Sequence, residues 1–449
     1  MKIKRQTLKH SQNTGENPLK RVYVTLTLIY LSSFLFTNFV IYLFAVYLNS
    51  TVVKAIILVR DFSIFILLFL FLPRRISKFV PNLILAVLFF LGSVFLGFVM
   101  HPSFSSSALI YLRLYVFPWL FLLAGYFLGT SFDIKPQKWL LSIRIILVVY
   151  AFLSLIVYVF RRFLLSCYNF EAFADITLKS YYDSYYCLLK NAVSYDFYKL
   201  ITSGVTRLFG LVLDPPISGI ILSFGAFFLF LKRRFAFLEI IIIVASVLTL
   251  SKGAFFIIVL FVFLALINMG LSQLRFYRTR QVFNVLVMLG LLGLLFVFMF
   301  MGNIGLTKSI TNHMQGLSRG IQIMFSSPLG TGLGTQGNFS PESSVRESFV
   351  GALGAQVGIL GFVSYIFLMY VVAKSYITQL KRKNYVYWGL SLFFFIYLLS
   401  AFFSESSISL SGGAIIFFTY GVIYATMIKR SFESRKANKS KMLLKKSHV

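Results

Sequence analysis

Apolar residues fill this chain in long blocks, and polar residues break it at spaced intervals. About twelve blocks are long enough to cross a bilayer, which takes roughly 20 apolar residues per helix. They run over 22–46, 54–73, 80–100, 108–130, 139–160, 208–231, 235–250, 253–269, 282–301, 350–373, 385–404 and 411–428. The stretch 235–269 exceeds one span, and LTLSKGAF interrupts it, so we divide it at Ser251–Gly253. Two polar stretches stand apart from the blocks, 161–207 and 301–349. The pattern predicts a single all-α integral membrane domain over 1–449, with about twelve transmembrane helices and two large loops that carry short helices.

Composition agrees with lipid as the solvent: 58% of residues are hydrophobic and only 12% charged, with a mean hydropathy of +0.84. So few charges cannot cover so much apolar surface in water. The net charge of +30 raises nucleic acid as a partner. Its distribution argues against one. Lys2, Lys4, Arg5, Lys9, Lys20 and Arg21 precede the first block. Arg74, Arg75 and Lys78, then Lys232, Arg233 and Arg234, then Arg275, Arg278 and Arg280, then Lys374, Lys381, Arg382 and Lys383 fall between alternate pairs of blocks. Under the positive-inside rule these are cytoplasmic segments, and they also attract anionic headgroups. Both basic tails, with His10 and His448, are then cytoplasmic. Both polar stretches, with Cys187 and Gly334, are external. No small-residue cleavage site follows the first block, so we expect it to be retained as a helix. Cys167 and Cys187 both fall in the first external stretch, either as a disulfide or as two free thiols.

Charged residues inside the blocks mark candidate chemistry. Arg60 and Asp61 fall in the second block and Arg113 in the fourth. Ionisable groups at such depth usually face a bundle interior or a water-filled cavity. Adjacent residues do not share a helix face, so Arg60 and Asp61 are each expected to have another partner. The plainer reading is that Arg60 and Arg113 snorkel to the outer surface. Arg207, in TRLFGLVLDPPISG, and Lys252, in TLSKGAF, are expected at the external mouth of the bundle. Fixed cations there suit an anionic ligand; headgroup contact or an ion pair with Asp214 explains them equally. Arg319 and Arg346 add cations in the second external stretch. Gly330, Gly332 and Gly334 lie in PLGTGLGTQG, which lacks the Gly-Lys-Ser/Thr end of a P-loop. Its turns either leave amides open for an anion or pack closely. Among the four histidines, His313 is the one with a plausible acid–base role, and Glu347 follows it in the same stretch. The sequence holds no His, Cys, Asp or Glu set at metal-ligand spacing. The tyrosine-rich YYDSYY fits an interfacial anchor or a sugar contact.

The ordered series TRLFGLVLDPP, LTLSKGA, SPLGTGLGTQG and ESFVGALGAQVGILGF resembles the O-antigen ligase/polymerase superfamily, which holds Wzy-like polysaccharide polymerases and WaaL-like ligases. The resemblance covers about Arg207 to Gly361, roughly a third of the chain. It implies a glycosyltransferase of the GT-C type in a bacterial plasma membrane, acting at the external face without a cofactor. It implies an undecaprenyl-pyrophosphate-linked glycan as donor, a second one as acceptor, and a flippase and chain-length regulator in the same pathway. Arg207 matches the family's arginine near the sixth segment. Lys252 stands where many members have Arg, keeping charge but losing the planar fork. Glu347-Ser348 stands where ligases typically carry His-Asn and polymerases often carry Glu, which favours a polymerase with Glu347 as base. His313 stands where many relatives have Arg, so its role is open. Two other functions fit the pattern: a ligase moving a finished glycan, and a transporter of lipid-linked oligosaccharides.

Overall fold

The computed structural model describes residues 18–44, 47–72, 81–103, 105–160, 207–231, 236–273, 281–287, 308–338, 343–345, 348–380 and 384–446, with 290, 293 and 340 as isolated positions. The regular structure among them is helical. The first five helices are α1 Pro18–Leu43, α2 Ser50–Phe71, α3 Asn82–Met100, α4 Ser106–Ser131 and α5 Pro136–Val159. There follow α6 Pro215–Ser223, α7 Gly225–Phe228, α8 Ala236–Leu248, α9 Lys252–Gln273 and α10 Lys308–Ser326. The chain closes with α11 Phe349–Val357, α12 Ile359–Gln379, α13 Tyr385–Ser400, a 3₁₀ turn Glu405–Ile408 and α14 Leu410–Lys446. Seven of these, α1, α3, α4, α5, α9, α12 and α14, are long and apolar enough to cross a membrane. Helix α2 has the length of a span but carries Lys54, Arg60 and Asp61. The first polar stretch up to residue 206, with Cys167 and Cys187, lies outside the described residues, as does most of the expected span 282–301.

Two expected spans are broken. The block 208–231 is not one helix: it starts as an irregular segment, and its helical part begins only at Pro215. The Asp214 side chain accepts the Ile217 amide at 3.0 Å as an N-cap, and Pro215 takes the first helical position, where its missing N–H costs nothing. The block 350–373 is divided at Gly358, whose φ of 80° ends α11. An added Cβ at Gly358 would lie 2.2 Å from the Pro328 carbonyl oxygen, so the sequence needs glycine there. The expected split of 235–269 is present, about two residues earlier than Ser251–Gly253, across Thr249–Ser251.

Helices α4 and α14 form the buried centre. Their backbones meet through glycine: an added Cβ would lie 2.2 Å from the Phe418 carbonyl oxygen at Gly125, and 2.1 Å from the Leu122 carbonyl oxygen at Gly421. Gly125 and Gly129 form a GxxxG pair of the kind that lets membrane helices approach closely. Trp119 sits beside this crossing with its ring edge-on to Phe417 at 4.8 Å. Away from it, Asn268 and Asn284 exchange amide hydrogen bonds of 2.7 and 2.9 Å, and Asn268 also donates to the Tyr376 hydroxyl at 2.8 Å. These buried groups join α9, the helical stretch 281–287 and α12, where lipid offers no hydrogen-bond partners.

Tertiary contacts sort the helix ends into two sets. At one end, Lys20 Nζ donates to the Asp133 carbonyl at 2.5 Å, and Lys429 Nζ lies 3.1 Å from Asp133 Oδ1. Lys429 holds the Asp133 carboxyl below the usual carboxylate range. This tie is therefore present at neutral pH and is lost as pH falls through that lowered value. At the opposite end, Asn38 Nδ2 donates to the Val212 carbonyl at 3.0 Å, and the Gly334 backbone packs on Ala108. The start of α1 and residue 429 of α14 thus share one end, here called the tail end. The described parts of both polar regions share the other, the loop end.

Candidate functional site

At the loop end the four sequence motifs are tied to one another. Arg207 Nε donates to the Thr249 carbonyl at 2.8 Å and Nη2 to the Leu250 carbonyl at 3.3 Å. The Leu208 amide donates to the Leu248 carbonyl at 2.9 Å. These are the unsatisfied carbonyls at the C-terminus of α8, where a cation is favoured. The contact brings Arg207 to the same hairpin as Lys252, the first residue of α9. Leu250, with φ of 48°, makes the turn between them.

The glycine loop lies across the loop-end termini of α3 and α4. Gly330, Gly332, Gly334 and Gly337 all have positive φ. An added Cβ at Gly332 would meet His101, at Gly334 the Ala108 amide, and at Gly337 the Tyr111 hydroxyl. The Thr331 amide donates to the Ala355 carbonyl at 2.9 Å and the Gly332 amide to the Gln356 carbonyl at 3.0 Å. The Gly334 amide donates to Gln356 Oε1 at 3.0 Å, and the Gly337 amide to the Val345 carbonyl at 2.8 Å. Of the two readings of these glycines, close packing fits: their amides are bonded within the protein, and their freedom serves backbone contact.

The loop and the last motif converge on Glu405. Its Oε2 accepts the Asn338 amide at 2.9 Å, and the side chain is 3% exposed. Ser348 caps α11, accepting the Gly351 amide at 3.0 Å, and donates to the Phe402 carbonyl at 2.8 Å. The turn Glu405–Ile408 packs on both α6 and α11, the helices that begin within the first and last motifs. Glu347 and Arg346, beside Ser348, lie outside the described residues. His313 lies on α10, and its side chain is also outside that set. Arg319, further along α10, donates from Nη1 to the Ser344 carbonyl at 3.3 Å, tying that amphipathic helix to the segment leading to Glu347.

Arg60 and Arg113 lie elsewhere, between α2 and α4. Arg60 reaches back to its neighbour, with Nε and Nη2 each 2.9 Å from Asp61 Oδ1. The expectation that adjacent residues take separate partners therefore fails for Arg60, because its side chain is long enough to fold along the helix. It holds for Asp61, whose Oδ2 is 2.5 Å from Arg113 Nε. Nor does Arg60 snorkel: it is 8% exposed.

Sequence reasoning passed over Glu405, the one carboxylate in SAFFSESSISL, and the pair Arg144–Glu239, joined at 2.5 Å between α5 and α8. In each case the signal was a lone charge in or beside an apolar block. Among the described residues no group of His, Cys, Asp and Glu is placed to hold a metal ion.

The fold and these sites define a polytopic α-helical membrane protein. No family model, curated protein or solved structure matches the chain.

If Arg207 serves an anionic substrate besides its α8 contacts, Arg207→Ala should lose most activity, and Arg207→Lys should keep more of it. Lys252→Arg should be tolerated. Turnover per folded protein in membranes decides this, and wild-type turnover in Arg207→Ala removes Arg207 from the site.

Proposed function

We propose that this chain polymerises undecaprenyl-pyrophosphate-linked oligosaccharide repeat units into a cell-surface polysaccharide such as an O-antigen, capsule or exopolysaccharide. The reaction takes place at the loop end, which faces outward from a bacterial plasma membrane. A hydroxyl of the acceptor repeat unit attacks the anomeric carbon of the donor. The new C–O bond forms as the bond to pyrophosphate breaks, and lipid pyrophosphate leaves with the electron pair. The hydroxyl proton passes to Glu347. Arg207 and Lys252 offset charge on the leaving group, a role for which fixed cations need no reorganisation. Arg319 and Arg346 supply further positive charge over the site. The donor is already activated, so the step needs no nucleotide.

One observation carries this reading. Motifs spread over about 150 residues, TRLFGLVLDPP, LTLSKGA, SPLGTGLGTQG and ESFVGALG, gather at one end of the bundle around the turn at Glu405. The intramembrane cluster Arg60–Asp61–Arg113 favours a second reading, a lipid-linked oligosaccharide transporter, because buried charge commonly lines a transport path.

Reconstitution with lipid-linked repeat units, followed by product sizing, separates the readings. A ladder of lengthened glycans is expected. A single transfer to another acceptor indicates a ligase, and movement between leaflets without lengthening indicates a transporter.

Orientation is tested separately. With Cys167 and Cys187 replaced by Ser, Thr335→Cys should react with an impermeant thiol reagent in intact cells, and Gln137→Cys should not. Thr335 is exposed on the glycine loop and Gln137 is exposed at the tail end. The opposite labelling pattern places the loop end inside the cell and overturns the proposed site.

A further inference from the structure

The second polar stretch suits water by composition, yet two of its side chains do not. Among the residues of that stretch whose side chains are described, Phe325 and Leu329 are the exposed large apolar ones, 68% and 61% accessible. A single exposed apolar residue is ordinary. These two flank the turn that joins α10 to the glycine loop, and each continues a larger apolar surface.

Helical periodicity places Met314, Leu317, Ile321, Met324 and Phe325 on one side of α10, while Arg319, Gln322 and Ser326 are exposed on the other. Helix α11 covers the apolar side. An added Cβ at Gly320 would lie 2.3 Å from the Gly351 carbonyl oxygen, and one at Gly354 would lie 3.4 Å from Met324 Sδ. That cover keeps Met314, Leu317 and Met324 buried and stops short of Phe325.

The height of the turn is set by α12 and α3, both long and apolar enough to cross a membrane. The Ile359 amide, at the start of α12, donates to the Pro328 carbonyl at 2.9 Å. An added Cβ at Gly358 would lie 2.7 Å from the Leu329 carbonyl carbon. Gly97, in the last turn of α3, packs on Val357, whose Cγ1 is 3.1 Å from an added Cβ there. The turn therefore lies level with the loop-end termini of two spans, where hydrocarbon gives way to headgroups. Below it, Ile359, Val363, Phe367 and Tyr370 are exposed along one stripe of α12. The exposed apolar stripe of a spanning helix faces lipid, and Leu329 adjoins its upper end.

We infer that Phe325 and Leu329 form an interfacial anchor, docked among the headgroups and upper acyl chains of the leaflet at the loop end. The partner is bilayer lipid, because the patch continues a lipid-facing stripe. Beside it, α10 keeps Arg319 and Gln322 toward water, the arrangement of a helix lying at a membrane surface. The anchor holds the junction of α10 and the glycine loop against the bilayer, so Arg319 is presented at the membrane surface. This anchor operates whichever reaction the loop end carries, since it needs only the membrane.

The test uses the full-length protein with Cys167 and Cys187 replaced by Ser, in nanodiscs of phosphatidylcholine holding one chain each. Phe325→Cys and Leu329→Cys carry a nitroxide label, and its relaxation by oxygen is compared with that by a water-soluble nickel chelate. Val363→Cys is the lipid reference and Thr335→Cys the water reference. Labels at 325 and 329 should match the Val363 reference in favouring oxygen, at a depth of about 5–10 Å into the boundary of headgroups and acyl chains. Preference for the nickel chelate, as at Thr335, overturns the anchor. Shielding that appears only in nanodiscs holding two chains overturns it too, since a second copy is then the cover. Shielding that appears only after addition of farnesyl diphosphate does the same, since a ligand chain is then the cover. If Phe325→Cys does not accumulate, Phe325→Trp decides, because Trp119, Trp139 and Trp388 are buried. The fluorescence it adds over the parent protein should be quenched by phosphatidylcholine brominated on its acyl chains, and unquenched added fluorescence overturns the anchor. Product sizing bears only on the polymerase reading: a protein that forms no ladder but carries lipid-shielded labels loses that reading and keeps this anchor.

Discussion

Gly421→Ala should prevent the protein from accumulating in a folded state, whereas Gly92→Ala should leave it unchanged. The added methyl at 421 would lie 2.1 Å from the Leu122 carbonyl oxygen and 2.8 Å from the Tyr126 amide, both backbone atoms of α4. A side chain can rotate out of such a clash; a packed helix backbone cannot. The two central helices must separate, and contacts such as Trp119 on Phe417 then open as well. Overpacking in an ordinary core costs about 1–3 kcal/mol, and a backbone collision at the central crossing should reach or exceed the top of that range. Gly92 has no atom within 4 Å of an added Cβ, so alanine there costs no space and improves helix propensity. Folded yield and melting midpoint of the two variants, purified in the same detergent, check this. Equal midpoints would falsify the close crossing of α4 and α14.

Glu347→Gln should reduce polymerisation about 100- to 10,000-fold, the usual contribution of a general acid–base group, with donor affinity kept. The change preserves shape and hydrogen-bonding capacity and removes only the carboxylate proposed as the base. Glu405→Gln is the informative comparison. The Glu405 side chain accepts the Asn338 amide through one oxygen, and glutamine retains such an acceptor. Its loss should therefore be much smaller, and a thermal shift should accompany it if the glycine loop loosens. His313→Gln completes the set. Collapse in His313→Gln with near-normal turnover in Glu347→Gln moves the base to His313. Collapse in Glu405→Gln alone, with folding intact, moves it to the buried carboxylate of the turn.

The helices themselves were legible because lipid imposes a simple rule on sequence: a long apolar run with its backbone bonded internally. The block 108–130 became α4 Ser106–Ser131 almost residue for residue. The block 208–231 was misread as one helix because hydropathy ignores backbone chemistry; Asp214-Pro215-Pro216 carried the correct signal, an N-cap followed by residues suited to a helix start. The site was less legible. Spacing shows that four positive-φ glycines suit PLGTGLGTQG, but it cannot say where their amides point. Those bonds depend on Ala355, Gln356 and Val345, which pack there only in the folded bundle. Long-range charge partners are hidden for the same reason. Arg144 and Glu239 each look like an isolated flaw in an apolar run until α5 and α8 lie side by side.

The pairing of α4 with α14 also sets the order of events at the ribosome. Trp139 of α5 and Thr419 of α14 hydrogen-bond across 280 residues, and Gly125 meets Phe418 over a comparable interval. The centre of the bundle therefore waits for the last helix to be synthesised and inserted. Until then α4 stands in the bilayer with its glycine face uncovered. Contacts so distant in sequence form late and leave nascent intermediates vulnerable. A chain interrupted anywhere before α14 lacks half of its own keystone and is a natural target for quality-control proteolysis, however many earlier helices have already entered the membrane.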